Sequence, residues 1–519
     1  MNTGKIGKVY LVGAGPGDPK LITIRGLEAL QRSDVVVFDR LAGPQLLNHA
    51  RQDAERIYVG KLPDRHTMKQ EEINQLLVDL ALQGKSVTRL KGGDPTVFGR
   101  VGEEAELLRK NGVEYEIIPG ITSAISVPAY AGIPVTHRDL ASSFSVITGH
   151  ESPDKLDLSI HWDKVTNATG TLVFLMGVAK IGYISEQLVK HGRSPQTPVA
   201  LVQWGTRAEQ RTLVGTLGDI EAKVREANFK PPAVIVVGDV VGQRETLAWA
   251  ERKPLFGQRV LVTRARSQAS ELVAKLDELG AETYEFPVIE TKLPDSAGNV
   301  LAIRDALTQA DDYDWVILTS VNGVDYFFRW LEREAVDIRR FHRAKFAAVG
   351  PKTAQELARR GILADLLPES YQAEGLADKL DGLVKQGQKA LLPRGDLARE
   401  LLPKKLKELG VETVVIDVYE TALAAPKDMW IAEMLAKKEI HVITFTSSST
   451  VVNLLEALKL NGIEDPVAAL QGIEIVCIGP VTAETAEKHG IQVTVVPRHA
   501  TIDGMVEALS ERRRITRGE

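Results

Sequence analysis

Short apolar runs recur along the whole chain, each ending in a turn or in charged residues. VYLV (9–12), VVVF (35–38), LVFL (172–175), VALV (199–202), AVIVV (233–237), VLV (260–262), WVIL (315–318) and VITF (442–445) are such runs. They are too short for helices and rich in β-branched residues, as strands buried on both faces are. Between them lie stretches of helical spacing, as over about 69–82, where Ile73, Leu76, Leu77 and Leu80 share one side. The alternation predicts an α/β protein with mainly parallel sheets. Ligands of such sheets sit beyond the carboxyl ends of the strands. The residues that follow each run are therefore the ones to read for chemistry.

The first run stops at Gly13-Ala14-Gly15-Pro16-Gly17-Asp18, and a helical pattern begins near Leu21. Glycines let backbone approach a ligand where a Cβ would clash. The spacing is not the Gly-x-Gly-x-x-Gly of dinucleotide folds, and Pro16 lacks the N–H that a pyrophosphate wants. A plain tight turn fits the run as well. VVVF ends at Asp39-Arg40, and RIYVGKLP delivers Lys61, with Arg65 just beyond. SVTRLKGGDP ends in a second glycine turn, Gly92-Gly93-Asp94-Pro95, followed by Arg100. Thr122 and Ser123 stand at a helix start, where such hydroxyls commonly cap. Met176 closes LVFL, and Gly205 makes a turn between strands.

With 519 residues, the chain needs roughly three or four units rather than one core. Its 64 basic and 69 acidic residues leave a net charge of -5, so no polycation advertises nucleic acid. A single cysteine, Cys477, excludes an internal disulfide framework and any multi-cysteine metal site, and no metal is expected. No apolar run approaches membrane length and no signal peptide is seen, so a cytoplasmic, membrane-free protein is expected.

The stretch GQRETLAWAERKPLFG is charged, bears a proline and breaks the strand–helix rhythm. It divides the chain into a first domain over 1–243, a linker over 244–257 and a second half over 258–519. In that second half VILTSVNGVDYFF echoes VITFTSSSTVVNLL, and AAVGPKTAQELARRGI echoes CIGPVTAETAEKHGI. The echo predicts two related α/β lobes, one over about 258–285 plus 424–512, the other over about 295–412. The extended stretches AETYEFPVIETKLP and VETVVIDVYETALAAP connect them. Thr319, Ser320, Thr446 and Ser447 then stand at strand ends facing a cleft, as carboxylate binders or as helix caps.

Six blocks, GAGPGDPKLIT, VVVFDRL, LKGGDPTVFGR, PGITSAISVPAYAGIPVTHR, LVFLMG and VALVQWGT, occur in one order in the first half. Together they closely resemble the uroporphyrinogen-III C-methyltransferases of the tetrapyrrole methylase superfamily. The resemblance implies two α/β subdomains with an S-adenosylmethionine cleft between them, in a homodimer. It places cofactor contacts on Pro16, Gly92, Gly93, Asp94, Val97, Thr122, Ser123, Met176 and Gly205. It makes Asp39 a proton acceptor and Lys61 a proton donor; the competing reading of Asp39 is a strand-end cap. Thr96 and Val101 stand where the family commonly has Phe and Gly. The implied substrate carries eight carboxylates, which call for guanidinium and ammonium partners. Arg40, Arg65, Arg100, His137 and Arg138 are the candidates, with Lys61 and Lys91 beside them.

In the second half the order TRA, VIETK, LTSVNGV, VGPKTA, LLPRGDLARELLP, VYET, FTSSSTV and IGPVTA resembles uroporphyrinogen-III synthase. This implies two lobes joined by a two-stranded ladder, binding hydroxymethylbilane. Tyr419 matches a tyrosine that assists departure of the bilane hydroxyl, or else it packs a connector strand. Thr319, Ser320, Arg394, Thr446, Ser447 and Thr482 are substrate-binding candidates. The synthase product is the methyltransferase substrate, so the fusion would make precorrin-2. The alternative is an S-adenosylmethionine-dependent methylase of another substrate fused to a two-lobed ligand-binding module.

Overall fold

The computed structural model describes residues 6–51, 53–60, 68–149, 160–264, 266–369, 373–424 and 429–517. Strands β1 (Lys8–Gly13), β2 (Val35–Phe38), β3 (Glu55–Tyr58), β4 (Val87–Lys91) and β5 (Glu114–Ile118) form one parallel sheet in the order β3-β2-β4-β1-β5. Alternate residues face opposite layers, as strand geometry requires. Val9, Leu11, Val35 and Val37 pack with Ile73, Leu77 and Leu108, whereas Val12, Val36 and Phe38 pack with Leu30, Leu46 and Leu47. The helix Gln70–Leu82 lies where the spacing of its leucines predicts.

β6 (Phe144–Thr148), β7 (Thr171–Leu175), β8 (Pro198–Gln203), β9 (Arg211–Thr216) and β10 (Ala233–Val237) form a second sheet, in the order β6-β7-β10-β8-β9. Only β6–β7 is parallel; β7–β10, β10–β8 and β8–β9 are antiparallel. This corrects the expectation of a mainly parallel sheet in this region. The short loop 204–210 suits a hairpin between β8 and β9, whereas parallel neighbours need a long crossover.

β11 (Arg259–Val262) and β12 (Glu282–Glu285) begin a third sheet. The chain leaves it to build a fourth from β13 (Ile289–Lys292), β14 (Trp315–Leu318), β15 (Lys345–Ala348), β16 (Lys389–Gly395) and β17 (Glu412–Leu423). It then returns with β18 (Val442–Phe445) and β19 (Glu474–Cys477). The third sheet is parallel, β12-β11-β18-β19. The fourth, β13-β17-β16-β14-β15, is parallel except for β13–β17, which pair antiparallel from Ile289↔Leu423 to Lys292↔Glu420.

Two compact units result: Met1–Phe286 with Asp428–Val451 and Asp465–Glu519, and Pro287–Lys427 with Val452–Glu464. The first two sheets and the third belong to the larger unit. Among the described residues no helix is long and apolar enough to cross a membrane.

Candidate functional site

At the carboxyl ends of the adjacent strands β1 and β4, the two glycine turns are stitched together. The Gly93 amide donates to the Gly15 carbonyl at 2.7 Å, and the Gly15 amide donates to the Gly93 carbonyl at 3.2 Å. Beside them opens a cleft of ≈ 610 Å³, walled on one side by Pro16, Asp39, Gly92, Gly93 and Val97. Met176, Val202, Trp204 and Gly205 from the second sheet form the other side. Four non-glycine residues lining it, Phe98, Arg100, Met176 and Trp204, hold φ of 55°, 57°, 58° and 47°. Each left-handed residue costs roughly 1–2 kcal/mol. Such strain persists where the surroundings over-determine the backbone, and it clusters at ligand sites.

Asp39 stands at the mouth of this cleft with two partners. Its Oδ1 accepts from the Leu41 amide at 3.0 Å, capping a short turn, and its Oδ2 accepts from Arg89 Nη2 at 3.0 Å. Below it lies a buried charge cluster. Lys91 Nζ is 2.7 Å from Glu104 Oε1, and Arg89 Nε is 3.5 Å from the same oxygen. Gln70 Nε2 also donates to Glu104 Oε1, at 3.1 Å. Glu104 is wholly buried, and Arg89 and Lys91 are nearly so. Burial, reinforced by the like charge of Arg89, pushes the Lys91 ammonium below the usual lysine range against the pull of Glu104. Two buried cations therefore share one buried carboxylate, and Asp39 supplies the second negative charge at the surface of the cluster.

A second cavity, ≈ 560 Å³, lies in the smaller unit at the carboxyl ends of β14 and β16. Thr319, Ser320, Arg394, Gly395, Arg399, Tyr419 and Thr421 line it. The hydroxyl end of the Tyr419 ring packs against Gly395, where a Cβ would come within 2.5 Å of it. Its hydroxyl is 3.5 Å from Ser320 Oγ, which accepts from the Gly323 amide at 2.9 Å and so caps the helix Val321–Arg333. Burial holds the Tyr419 phenol above its ordinary pKa, so it stays a proton donor at neutral pH. Arg394 pairs with Glu400 at 2.6 Å and Asp417 at 3.2 Å, while its Nη1 is buried without a hydrogen-bond partner.

Residues 8–221 match the family of tetrapyrrole (corrin/porphyrin) methylases, and residues 270–507 match uroporphyrinogen-III synthase HemD. A porphyrin biosynthesis protein HemD of Ruminiclostridium josui is 40% identical over 506 residues, which is 97% of this chain and 98% of that one. This chain belongs to the family that joins a tetrapyrrole methylase to a uroporphyrinogen-III synthase. The methylase half alone is 56% identical to a uroporphyrinogen-III C-methyltransferase of Priestia megaterium, over 46% of this chain and 99% of that protein. It is 52% identical to an S-adenosyl-L-methionine-dependent uroporphyrinogen III methyltransferase of Methanosarcina barkeri, over 47% of this chain and 96% of that one.

In the methylase half, Pro16, Gly92, Gly93, Val97, Ser123, Met176, Gly205, Asp39 and Arg100 come together on one cleft. Asp94 and Thr122 stand behind it. Asp94 accepts from the Thr96 hydroxyl and amide and from the Gly120 amide, bracing the second glycine turn. Thr122 caps the helix Ser123–Tyr130. Arg40 lies over Trp204 with its guanidinium carbon 5.4 Å from the ring, next to the cleft. Exposed Arg138 and half-buried His137 sit on a loop outside the cleft lining. Lys61 and Arg65 lie outside the described residues.

In the synthase half, Thr319, Ser320, Arg394 and Tyr419 share the second cavity. Thr446, Ser447 and Thr482 belong to the larger unit, after β18 and in the helix Pro480–Lys488. Sequence reasoning missed Arg89, Glu104 and Arg207. The first had a visible signal: a charged residue in the middle of a short strand, VTRLK, all five of whose residues prove buried.

Proposed function

We propose that the synthase half closes hydroxymethylbilane to uroporphyrinogen III with inversion of ring D, and that the methylase half then methylates this product twice to precorrin-2. The family membership of the full chain supports both activities. For the residue roles, the carrying observation is the convergence of two glycine turns and Asp39 on one cleft. The cleft suits S-adenosylmethionine: glycine backbone and apolar side chains line it, and a Cβ at Gly205 would run into Val127 at 2.4 Å. When bound there, S-adenosylmethionine supplies the electrophilic methyl group. Pro16, Gly92, Gly93, Val97, Ser123, Met176 and Gly205 would hold it.

The chain's own contribution is orientation and proton removal. The methylated macrocycle must lose a proton, and the Asp39 carboxylate, fixed by Arg89, stands at the cleft to accept it. Arg40, Arg100 and Arg207 offer guanidinium groups at the same mouth for the substrate carboxylates. In the synthase half the neutral Tyr419 phenol hydrogen-bonds to the departing bilane hydroxyl and eases its loss. Because the bilane is already reactive, the pocket then acts largely by holding the folded conformer that joins ring D inverted. We also propose a homodimer formed through the methylase half, to be read by sedimentation, and a cytoplasmic location.

Anaerobic incubation with freshly generated hydroxymethylbilane, with and without S-adenosylmethionine, tests the whole reading. Isomer III alone without the methyl donor, and a dimethylated product with it, is the expected result. Isomer I alone would remove the synthase assignment. An unmethylated III isomer in the presence of donor would remove the methylase assignment.

A further inference from the structure

The cleft wall formed by 204–210 is held from outside the methylase half. Glu282, the first residue of β12 in the synthase half, is the hub, and it lies with the methylase half inside the larger unit. Its buried carboxylate accepts from the Ala208 amide at 3.0 Å and from Gln45 Nε2 at 2.9 Å, both in the methylase half. It also accepts from the Tyr284 hydroxyl at 2.7 Å and lies 3.3 Å from Arg259 Nε, both in the synthase half. Arg259, itself 5% exposed, makes a second tie to the same loop through the Glu209 carboxylate. Burial alone would push the Glu282 carboxyl up, yet Arg259, Arg207 and the donated hydrogen bonds hold it below the usual range. The hub is thus an ionised, multiply bonded acid whose side chain is only 9% exposed. That makes it stiff, because loosening any donor exposes a buried charge.

The loop it holds carries residues of the cleft. Trp204, Gly205 and Arg207 line the cleft, and Trp204 and Thr206 sit in left-handed backbone at φ 47° and 71°. The Thr206 hydroxyl accepts from the Asp18 amide at 3.0 Å, fastening the loop to the first glycine turn. The Arg207 side chain packs where a Cβ on Gly17 would come within 2.8 Å of it, and its guanidinium carbon lies 5.5 Å from the Trp204 ring. Arg207 also borders a separate ≈ 280 Å³ cavity together with Asp277, Glu282 and Thr283 of the synthase half. A continuous line of contacts therefore runs from β12 through Ala208 and Thr206 to Asp18, in the turn that follows β1.

We propose that Glu282 is a positioning residue for methyl transfer: a side chain of the synthase half fixes the 204–210 wall of the methylase cleft. This rests on that cleft being the S-adenosylmethionine site. The loop's own bonds join Thr206 to Gln210 at 2.8 Å and Gln210 to the Tyr130 carbonyl at 3.4 Å, while the Ala208 amide is held by Glu282 of the synthase half. The methylase of this chain is then built to work in the fused state.

The test uses the full chain carrying Glu282→Gln, with S-adenosylhomocysteine as the binding probe and uroporphyrinogen III formation as the internal control. Loss of the charge-assisted bond to Ala208 should weaken probe binding about tenfold. The control activity should stay at the wild-type level. Wild-type probe affinity and methylation in Glu282→Gln would overturn the proposal. Wild-type protein that fails to bind the probe at all would instead remove the cofactor-site reading on which it rests. Amide hydrogen exchange gives a second readout, independent of turnover. Faster exchange confined to 204–210 in Glu282→Gln supports the brace, and unchanged exchange over that loop overturns it.

Discussion

The two cavities assigned to the two reactions are built on opposite electrostatic plans. The methylase cleft rests on a buried cluster in which Arg89, Lys91, Glu104 and Asp39 share charge through contacts of 2.7–3.5 Å. The cavity of the smaller unit presents a neutral phenol, hydroxyls and two arginines that both have carboxylate partners, Arg394 with Glu400 and Asp417, and Arg399 with Glu374 at 3.9 Å. The difference follows the chemistry. In the proposed reaction a proton leaves the methylated macrocycle, which needs a carboxylate held in place, and Arg89 fixes that of Asp39 at 3.0 Å. Losing a hydroxyl from a reactive bilane needs a donor and a mould, and burial keeps a phenol protonated. One site depends on where charge is, the other on shape and a single hydrogen bond.

The sharpest way to break this comparison is Asp39→Asn. The amide keeps the bond to the Leu41 amide but cannot take a proton, so precorrin-2 formation should fall about 10²–10⁴-fold while S-adenosylhomocysteine binding holds. Undiminished turnover would leave Asp39 as a turn cap. Glu104→Ala comes next, because it takes from the buried Lys91 its carboxylate partner and leaves Arg89 with Asp39 alone. Removing one partner of such a cluster costs about 3–5 kcal/mol. The urea-unfolding midpoint of the full chain should drop accordingly, and a shift no larger than that of an exposed ion pair would refute the cluster.

Tyr419→Phe should be milder, about a tenfold loss of isomer III, since one hydrogen bond to a leaving group is removed from a reaction that also proceeds unaided. Isomer ratio by chromatography reads it. The burial that raises the Tyr419 pKa also fixes the pH response. The phenol remains protonated past the ordinary value of 10.0, so isomer III formation should show no loss from its ionisation between pH 7 and that value. A loss setting in near pH 9 that Tyr419→Phe abolishes would show a phenolate there instead. Equal sensitivity of the two halves to loss of a charge would dissolve the contrast between them.

What the sequence made legible follows the same division. Glycine turns and the residues at strand ends are local signals, so Pro16, Gly92, Gly93, Met176 and Gly205 were found and do meet in space. Asp94 and Thr122 carry the same local signal, yet their side chains are spent on the turn and the helix start. A motif marks a place in the chain and not the direction of each side chain. Arg89, Glu104, Arg207 and Glu282 matter through partners that are distant in the sequence. The Gln45–Glu282 bond, for example, spans 237 positions. The antiparallel second sheet was missed for the same reason: β10 enters between β7 and β8 by a pairing that no local pattern announces.

The smallest effect tests the charge cluster most finely. Lys91 is the cation the cluster spares most easily, because Arg89 still faces Glu104 when it is gone. Lys91→Met should therefore cost less stability at pH 7 than Glu104→Ala, since the lysine it removes is itself expensive to bury. Its pH dependence carries the sign. Burial lowers the folded-state pKa of Lys91 below the ordinary 10.5. Between those two values the unfolded chain binds more protons than the folded one, and stability rises with pH wherever that holds. Wild type should thus gain on Lys91→Met as the pH climbs through the lowered pKa towards 10.5. Parallel unfolding midpoints across that window would mean that Lys91 is not desolvated, and that its ammonium is no more costly to bury than one at the surface.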